Sequence, residues 1–296
     1  MEHIIGRFID PLSDFGFKHL FRNEPNKDIL IDFLNQLFKG QKEIADLTYS
    51  PTERAGDHDQ LKKVFFDLLC TGTNGEQFII EMQRAEQRNF RDRAVFYTSR
   101  LINEQLPKGQ SHWNIELKEV YLIAILEFNF KESPAGEYLH HVALVNTNTH
   151  EIFYNKLGYK FLELPKFVKT EEELETDLDR WFYLLKHMSH LDKVPAVLNK
   201  RVFQKVFKIA EVSKLTKEEK AMYDSSLKAK WDYENSIAYA EEKAEERGIE
   251  KGIERGIEKG EYKKAIAIAR ELKKEGLAIE FIAKTTNLSI EEIERL

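Results

Sequence analysis

The sequence predicts an α/β fold: a mixed β-sheet flanked by helices, followed by an all-α C-terminal region. Three observations carry this. Val64–Gln83, VFFDLLCTGTNGEQFIIEMQ, is rich in Val, Ile and Phe and broken by TGTNG, the pattern of two strands joined by a tight turn. Val120–Phe128, VYLIAILEF, reads as a fully buried strand, and an amphipathic stretch lies between the two. From Thr170 onward the apolar spacing becomes helical, and it stays so to the end.

The hairpin contains one carboxylate per strand where a core side chain is expected, Asp67 and Glu81. Side chains alternate faces along a strand, so Phe65, Asp67 and Leu69 share one side and Ile79, Glu81 and Gln83 share one side of the next strand. The turn decides whether these sides coincide. A two-residue Asn-Gly turn would pair Thr73 with Glu76 and put the carboxylates on opposite faces. A three-residue loop, Thr73-Asn74-Gly75, puts Gly in the left-handed position at its end. It pairs Gly72 with Glu76 and sets Asp67 opposite Glu81, and this register is the one expected. Two carboxylates held together in a half-buried sheet repel, and they ask for a cation between them.

The elements follow in order. Ser13 or Asp14 caps a short helix carrying Phe17, Leu20 and Phe21, with Asp14 and Lys18 four apart on one face. Pro25-Asn26 opens a second helix with Leu30, Phe33, Leu34 and Leu37 inward, stopped by Gly40. A strand is expected at Ile44–Tyr49, then a polar loop at Pro51–Gln60 whose Asp57, His58 and Asp59 read as a solvated turn. After Gln83, the residues Phe90, Ala94, Tyr97 and Leu101 form the apolar stripe of a helix lying on the sheet and ended by Lys108-Gly109. Arg84, Arg88, Arg91, Arg93 and Arg100 crowd its beginning and flank, where guanidinium forks suit phosphate. Further strands are expected at Tyr138–Asn146 and near Glu151–Tyr154. His140 and His141 are adjacent, face opposite ways on a strand and read as structural.

The 296 residues carry a formal net charge of −6, so bulk charge does not hold the protein on nucleic acid, and any contact must come from a local patch. The one cysteine, Cys70, lies in an apolar strand and reads as a buried small hydrophobe. With no internal disulfide possible, no apolar run long enough to span a bilayer and no signal-peptide pattern, a cytoplasmic protein without membrane contact is expected.

The helical region carries Leu174, Leu178, Trp181, Leu184 and Leu185 at helical spacing, then helical segments at Arg201–Val212 and Lys217–Tyr239. Arg247–Gly260, RGIEKGIERGIEKG, is a four-residue repeat. Its four glycines forgo roughly 2–4 kcal/mol against alanine in a helix interior. Close approach to another helix repays that, beside the Ile249, Ile253 and Ile257 stripe, and the charge columns can face opposite signs on an antiparallel neighbour. Self-association through this region, giving a homo-oligomer, is the expectation. Three small helices should close the chain: one to Lys274, one through Ile279–Lys284, and one opened by Ser289 with Glu292 in capping-box register. From Gly276 this tail has four Glu against Lys284 and Arg295, which suits packing better than DNA reading.

Asp67 on one strand and Glu81-Met82-Gln83 on the next resemble the PD-(D/E)xK nuclease site. More narrowly they resemble the Rpn-like branch, the recombination-promoting nucleases or PD-(D/E)xK family transposases. SDFGFKHLF (Ser13–Phe21), the Arg-rich helix, VYLIAILEF, ELPKF (Glu163–Phe167) and the GIEK/GIER tail match that branch in the same order. Gln83 stands where the wider superfamily has lysine and Phe66 where it has proline, as in the Rpn-like branch. The resemblance implies a restriction-endonuclease-like domain over residues 1–169, a helical extension over 170–240, the Gly-repeat helix at 241–262 and a helix-turn-helix-like tail at 263–296. It also implies a metal-dependent DNA endonuclease acting on double-stranded DNA. Asp67, Glu81 and the Met82 carbonyl would hold Mg²⁺, with Mn²⁺ able to substitute. Asp67, Glu81, Gln83, Asp14 and Lys18 would form the catalytic set, with Lys18 or Arg84 supplying the charge Gln83 lacks. The arginines from Arg84 to Arg100 would meet DNA. The alternative is a catalytically inactive relative serving as an interaction or assembly module.

Overall fold

A computed structural model of the protein describes residues 6–54, 64–106 and 115–296. The chain divides into two compact units, Met1–Leu227 and Lys228–Leu296. The Asp57-His58-Asp59 loop and the Lys108-Gly109 helix stop lie outside the described residues.

The chain opens with α1 (Asp14–Phe21), where Ser13 Oγ accepts from the Gly16 N–H at 3.0 Å. A 3₁₀ turn over Glu24–Asn26 leads into α2 (Lys27–Leu37), whose Leu30, Phe33, Leu34 and Leu37 are buried. Then come β1 (Leu47–Tyr49), β2 (Glu53–Arg54), β3 (Val64–Phe65), β4 (Leu68–Gly72), β5 (Gln77–Gln83), α3 (Phe90–Glu104), β6 (Val120–Leu126), β7 (Leu139–Val145) and β8 (Ile152–Glu163). The helices α4 (Asp177–His187) and α5 (Arg201–Ile209) follow, and α6 (Lys217–Lys274), α7 (Ile279–Thr286) and α8 (Ile290–Glu294) end the chain. The main sheet is mixed, in the order β1-β4-β5-β6-β8-β7, with β5, β6 and β8 mutually parallel. This is the expected α/β sheet flanked by helices with a helical C-terminal region, consistent with a restriction-endonuclease-like fold.

The hairpin takes the three-residue loop. The Gly72 N–H donates to the Glu76 carbonyl at 2.8 Å, Gly75 adopts φ +87°, and the ladder runs from Thr71↔Gln77 to Leu68↔Ile80. The upstream strand differs from expectation. It is broken at Phe66–Asp67, because Val64–Phe65 leaves the main sheet to pair with β2. The break reverses the alternation, so Phe65 is 59% exposed while Val64 and Phe66 are buried with Leu69.

α3 covers one face of the sheet, setting Phe90, Ala94 and Leu101 against Leu122, Ala124, Leu126 and Phe161. On the other face the Phe38 ring lies 5.6 Å from Phe78 and 4.8 Å from Tyr121. Trp181 of α4 is fully buried among Phe21, Phe33 and Phe203, and its indole N–H donates to Asp32 Oδ2 at 2.7 Å. Cys70 is fully buried, as expected.

Two further differences from expectation concern length. The element expected near Glu151–Tyr154 is the start of a 12-residue strand, whose second half is buried between β6 and β7. The segment at Lys217–Tyr239, the repeat and the stretch to Lys274 form one 58-residue helix. No proline follows Pro195, and the residues between the glycines are strong helix formers, so nothing stops propagation before Gly276, which adopts φ +80°. In the second unit, Ala269 of α6, Ile282, Leu288 and Ile293 form a small core, and Ser289 caps α8 in a capping box with Glu292. Among the described residues, no helix is long and apolar enough to cross a membrane.

Two substitutions test the packing. Trp181→Ala should cost about 3–5 kcal/mol for a large aromatic lost from the core. Trp181→Phe should cost about 1–3 kcal/mol, because it leaves the half-buried Asp32 carboxylate without its donor. Urea denaturation measures both, and a Trp181→Phe protein as stable as the native one would contradict this role for the indole N–H.

Candidate active site

The break before β4 shapes the site. With β4 starting at Leu68, Met82 has no partner on the β4 side, and Asp67 takes that place: its Oδ2 accepts from the Met82 N–H at 2.8 Å. Glu81 reciprocates, its Oε1 accepting from the Asp67 N–H at 3.2 Å. Each carboxylate therefore clasps the backbone of the other's segment, and the two acids lie side by side. In a hydrogen-bonded antiparallel pair, N–H and C=O leave on the same edge, so the Met82 carbonyl lies on the edge facing Asp67.

The environment is dry. Glu81 is 8% exposed and Gln83 is 9% exposed. Burial, together with the charge of Asp67, pushes the Glu81 carboxyl up to about 8, against the pull of the Asp67 N–H and of Arg93. Burial also raises Asp67, opposed by the Met82 N–H bond and by the charges of Lys18 and Arg93, while Asp14 adds to the rise. Among the described residues, no Lys, Arg or His forms an ion pair with either carboxylate. The donor set suits a hard divalent ion: a buried and a half-buried carboxylate that repel without a counter-charge, and a carbonyl on the same edge. Among the described residues, no group of three or more His, Cys, Asp and Glu is arranged to hold a metal, so such an ion would rest on this pair, the carbonyl and water.

Gln83 lies on the same face as Glu81, two residues on. Its amide is fixed at both ends: Nε2 donates to the Ala85 carbonyl at 2.9 Å, and Oε1 accepts from Arg93 Nη2. Arg93 donates with its other Nη to Gln87 Oε1 at 2.6 Å and lies 5.7 and 5.9 Å from the Phe90 and Tyr97 ring centres. The guanidinium beside Gln83 is that of Arg93, one of the arginines of the α3 cluster. The Tyr97 hydroxyl, raised by burial and by the Glu81 charge, also faces the acids. Arg93 and Tyr97 are four residues apart on α3, and that spacing was the available signal.

The other expected residues are placed as follows. Asp14 and Lys18 pair with each other at 2.7 Å, near enough for both charges to act on Asp67. Arg91 pairs with Glu132 at 2.8 Å and lies over the Phe130 ring. Arg100 is tied to Glu104 one turn further along α3. Arg84 is half-buried and Arg88 exposed in the link between β5 and α3. His140 and His141 do face opposite ways: His140 Nε2 lies 2.5 Å from buried Glu163, and His141 Nδ1 lies 2.6 Å from Lys160. Glu163 also accepts from the Phe130 N–H and the Ser133 hydroxyl, and pairs with Lys166. The ELPKF segment thus anchors the loop after β6.

No curated protein and no solved structure matches this chain. The profile of the PD-(D/E)XK nuclease family transposases matches residues 11–240, more than half of the chain and all of the site just described. By this match the chain belongs to the PD-(D/E)XK nuclease family transposases.

Proposed function

We propose that the protein is a divalent-metal-dependent DNA endonuclease that uses Mg²⁺, with Mn²⁺ able to substitute, and hydrolyses phosphodiester bonds in double-stranded DNA. The observation carrying this is the mutual clasp of half-buried Asp67 and buried Glu81, two carboxylates without a paired cation among the described residues. Nucleases of the PD-(D/E)XK family typically use divalent metals. Asp67, Glu81 and the Met82 carbonyl would hold the ion, which when bound would supply Lewis-acid charge to the phosphate and leaving oxygen. Gln83 holds the Arg93 guanidinium beside the acids, where its fork offers fixed positive charge to a phosphate. Lys18 adds charge from the α1 side, with Asp14 holding its ammonium. Arg84, Arg88 and Arg91 extend the phosphate-contacting edge along the start of α3, and Arg100 stands further along it. The single buried cysteine accords with action in the cytosol.

The repeat helix supports assembly of a homo-oligomer. Around Gly248, Gly252, Gly256 and Gly260 the space a Cβ would occupy is open, and Ile249, Ile253 and Ile257 beside them are 56–59% exposed. Light scattering should find more than one copy in the native protein and a single copy after Ile253→Lys. Equal masses would remove this role for the repeat.

In the nuclease assay, purified protein should nick supercoiled plasmid in Mg²⁺ or Mn²⁺, and Asp67→Ala or Glu81→Ala should abolish nicking. Arg93→Ala should lower the rate by about 10²–10³-fold, the effect of deleting one charge-stabilising donor. Nicking unchanged in Asp67→Ala would mean a contaminant and would leave the inactive assembly module as the reading.

Stability should depend on pH in a defined direction. Because the folded-state value of Glu81 is raised from 4.5 to about 8, the metal-free folded protein holds a proton that the unfolded chain has lost. Stability should therefore fall as pH rises through that window. Mg²⁺ should restore it more at pH 8.5 than at pH 6, because the ion replaces the proton. Glu81→Gln should remove the Glu81 share of this slope. Thermal melts with and without Mg²⁺ decide it, and a Glu81→Gln slope identical to the native one would contradict the assignment.

A further inference from the structure

On the sheet face away from α3, the register lines up Ile80 of β5, Ile123 of β6 and Lys160 of β8 in one row. The two isoleucines are ordinary core residues. The lysine is buried almost as deeply, at 4% exposure. Its Nζ donates to Gln41 Oε1 at 3.2 Å, lies 2.6 Å from His141 Nδ1, and sits 4.4 Å from the centre of the Phe38 ring. None of these contacts supplies a formal negative charge, and among the described residues no carboxylate pairs with Lys160. Neighbouring Lys42 differs, since it pairs with Glu119 and lies over the Tyr121 ring. Taking an ammonium out of water without a counter-charge is costly. Burial accordingly holds the Lys160 amine down to about 8, and burial together with the Lys160 charge lowers His141.

Lys160 borders a cavity of about 690 Å³, within the size range of small-molecule sites. Gly158 forms part of its floor. A Cβ there would come within 3.1 Å of the Tyr121 ring, so the bare glycine lets that ring lie close against the strand. Val145 and Ile152 supply aliphatic wall, and the Lys42–Glu119 pair stands at the rim with its charges balanced.

We propose that this cavity is a second binding site, for a small molecule carrying one oxyanion, a carboxylate or a phosphate, on an apolar body, with Lys160 as the anchor for the anion. The anion gives the buried ammonium the counter-charge its own shell lacks, and the apolar body covers Tyr121 and the aliphatic wall. Asp67 and Glu81 project from the opposite face of the sheet, so the site uses none of the groups assigned to hydrolysis.

The test uses the full chain without divalent metal, titrated with phenyl phosphate, benzoate and the uncharged benzyl alcohol. The phosphate and carboxylate probes separate the two sources of the anion. At least one of them should raise the melting temperature saturably, benzyl alcohol should not, and Lys160→Met should lose the effect. A second readout needs no variant: amine acylation of the native protein at pH 8, read by mass spectrometry. A bound anion that raises the amine by about one pKa unit should slow labelling of Lys160 about fivefold at pH 8, while exposed lysines label unchanged. The proposal is overturned if neither anion shifts the melt, if Lys160→Met responds like the native protein, or if Lys160 labels equally fast in saturating anion. None of these outcomes depends on plasmid nicking, so failure here and failure of the nuclease reading are distinguishable.

Discussion

The site rests on one interruption of a β-ladder. β4 begins only at Leu68 while β5 runs on to Gln83, and the Met82 N–H, which has no partner on the β4 side, is satisfied by the Asp67 carboxylate. An unpaired buried N–H is expensive, so this bond fixes where Asp67 points. The return bond from the Asp67 N–H to Glu81 fixes the second acid against the first. Two groups that repel are thus held together by each other's backbone, at the cost of raised proton affinity on both. That stored repulsion is what a divalent ion would relieve.

The rest of the first unit supports this arrangement. Phe66 packs edge-on against Tyr97 at 5.2 Å and pins the break under α3. α3 lies on the face that carries Glu81 and Gln83, so its first two turns present Arg93 and Tyr97 to the acids. The parallel strands β5, β6 and β8 end level, with Gln83, Leu126 and Glu163 in register, the edge at which sheets of this kind commonly place their chemistry. Glu163 uses its position differently. Surrounded by His140, Ser133, Lys166 and the Phe130 N–H, it holds the loop after β6 in place.

What was legible in the sequence was whatever local rules determine. Gly75 set the loop, the loop set the register, and the register put Asp67 beside Glu81. Ser13 and Ser289 marked helix starts, and Phe90, Ala94 and Leu101 marked the buried stripe of α3. What was not legible depends on partners distant in sequence. Nothing in VFFDLL reveals that Val64–Phe65 leaves for β2, so the alternation was carried one residue out of phase through Phe65. The sequence shows only the start of β8 because Asn155, Gly158 and Lys160 interrupt its apolar pattern, and each of those residues lines the cavity on that face. Arg93 was one arginine among five, and only folded coordinates show its guanidinium on the Gln83 amide. From sequence, α6 is divided near 240 and 262, on either side of the glycine repeat, whose propensity cost is small against a long run of helix formers.

In the proposed nuclease, Asp67 and Glu81 would jointly bind one divalent ion. Calorimetric titration of Mn²⁺ into the native protein at pH 8.5, beside Asp67→Asn and Glu81→Gln, addresses it most directly. One ion per chain, with binding lost in both variants, is the predicted result. Binding that survives either substitution unchanged would contradict the account.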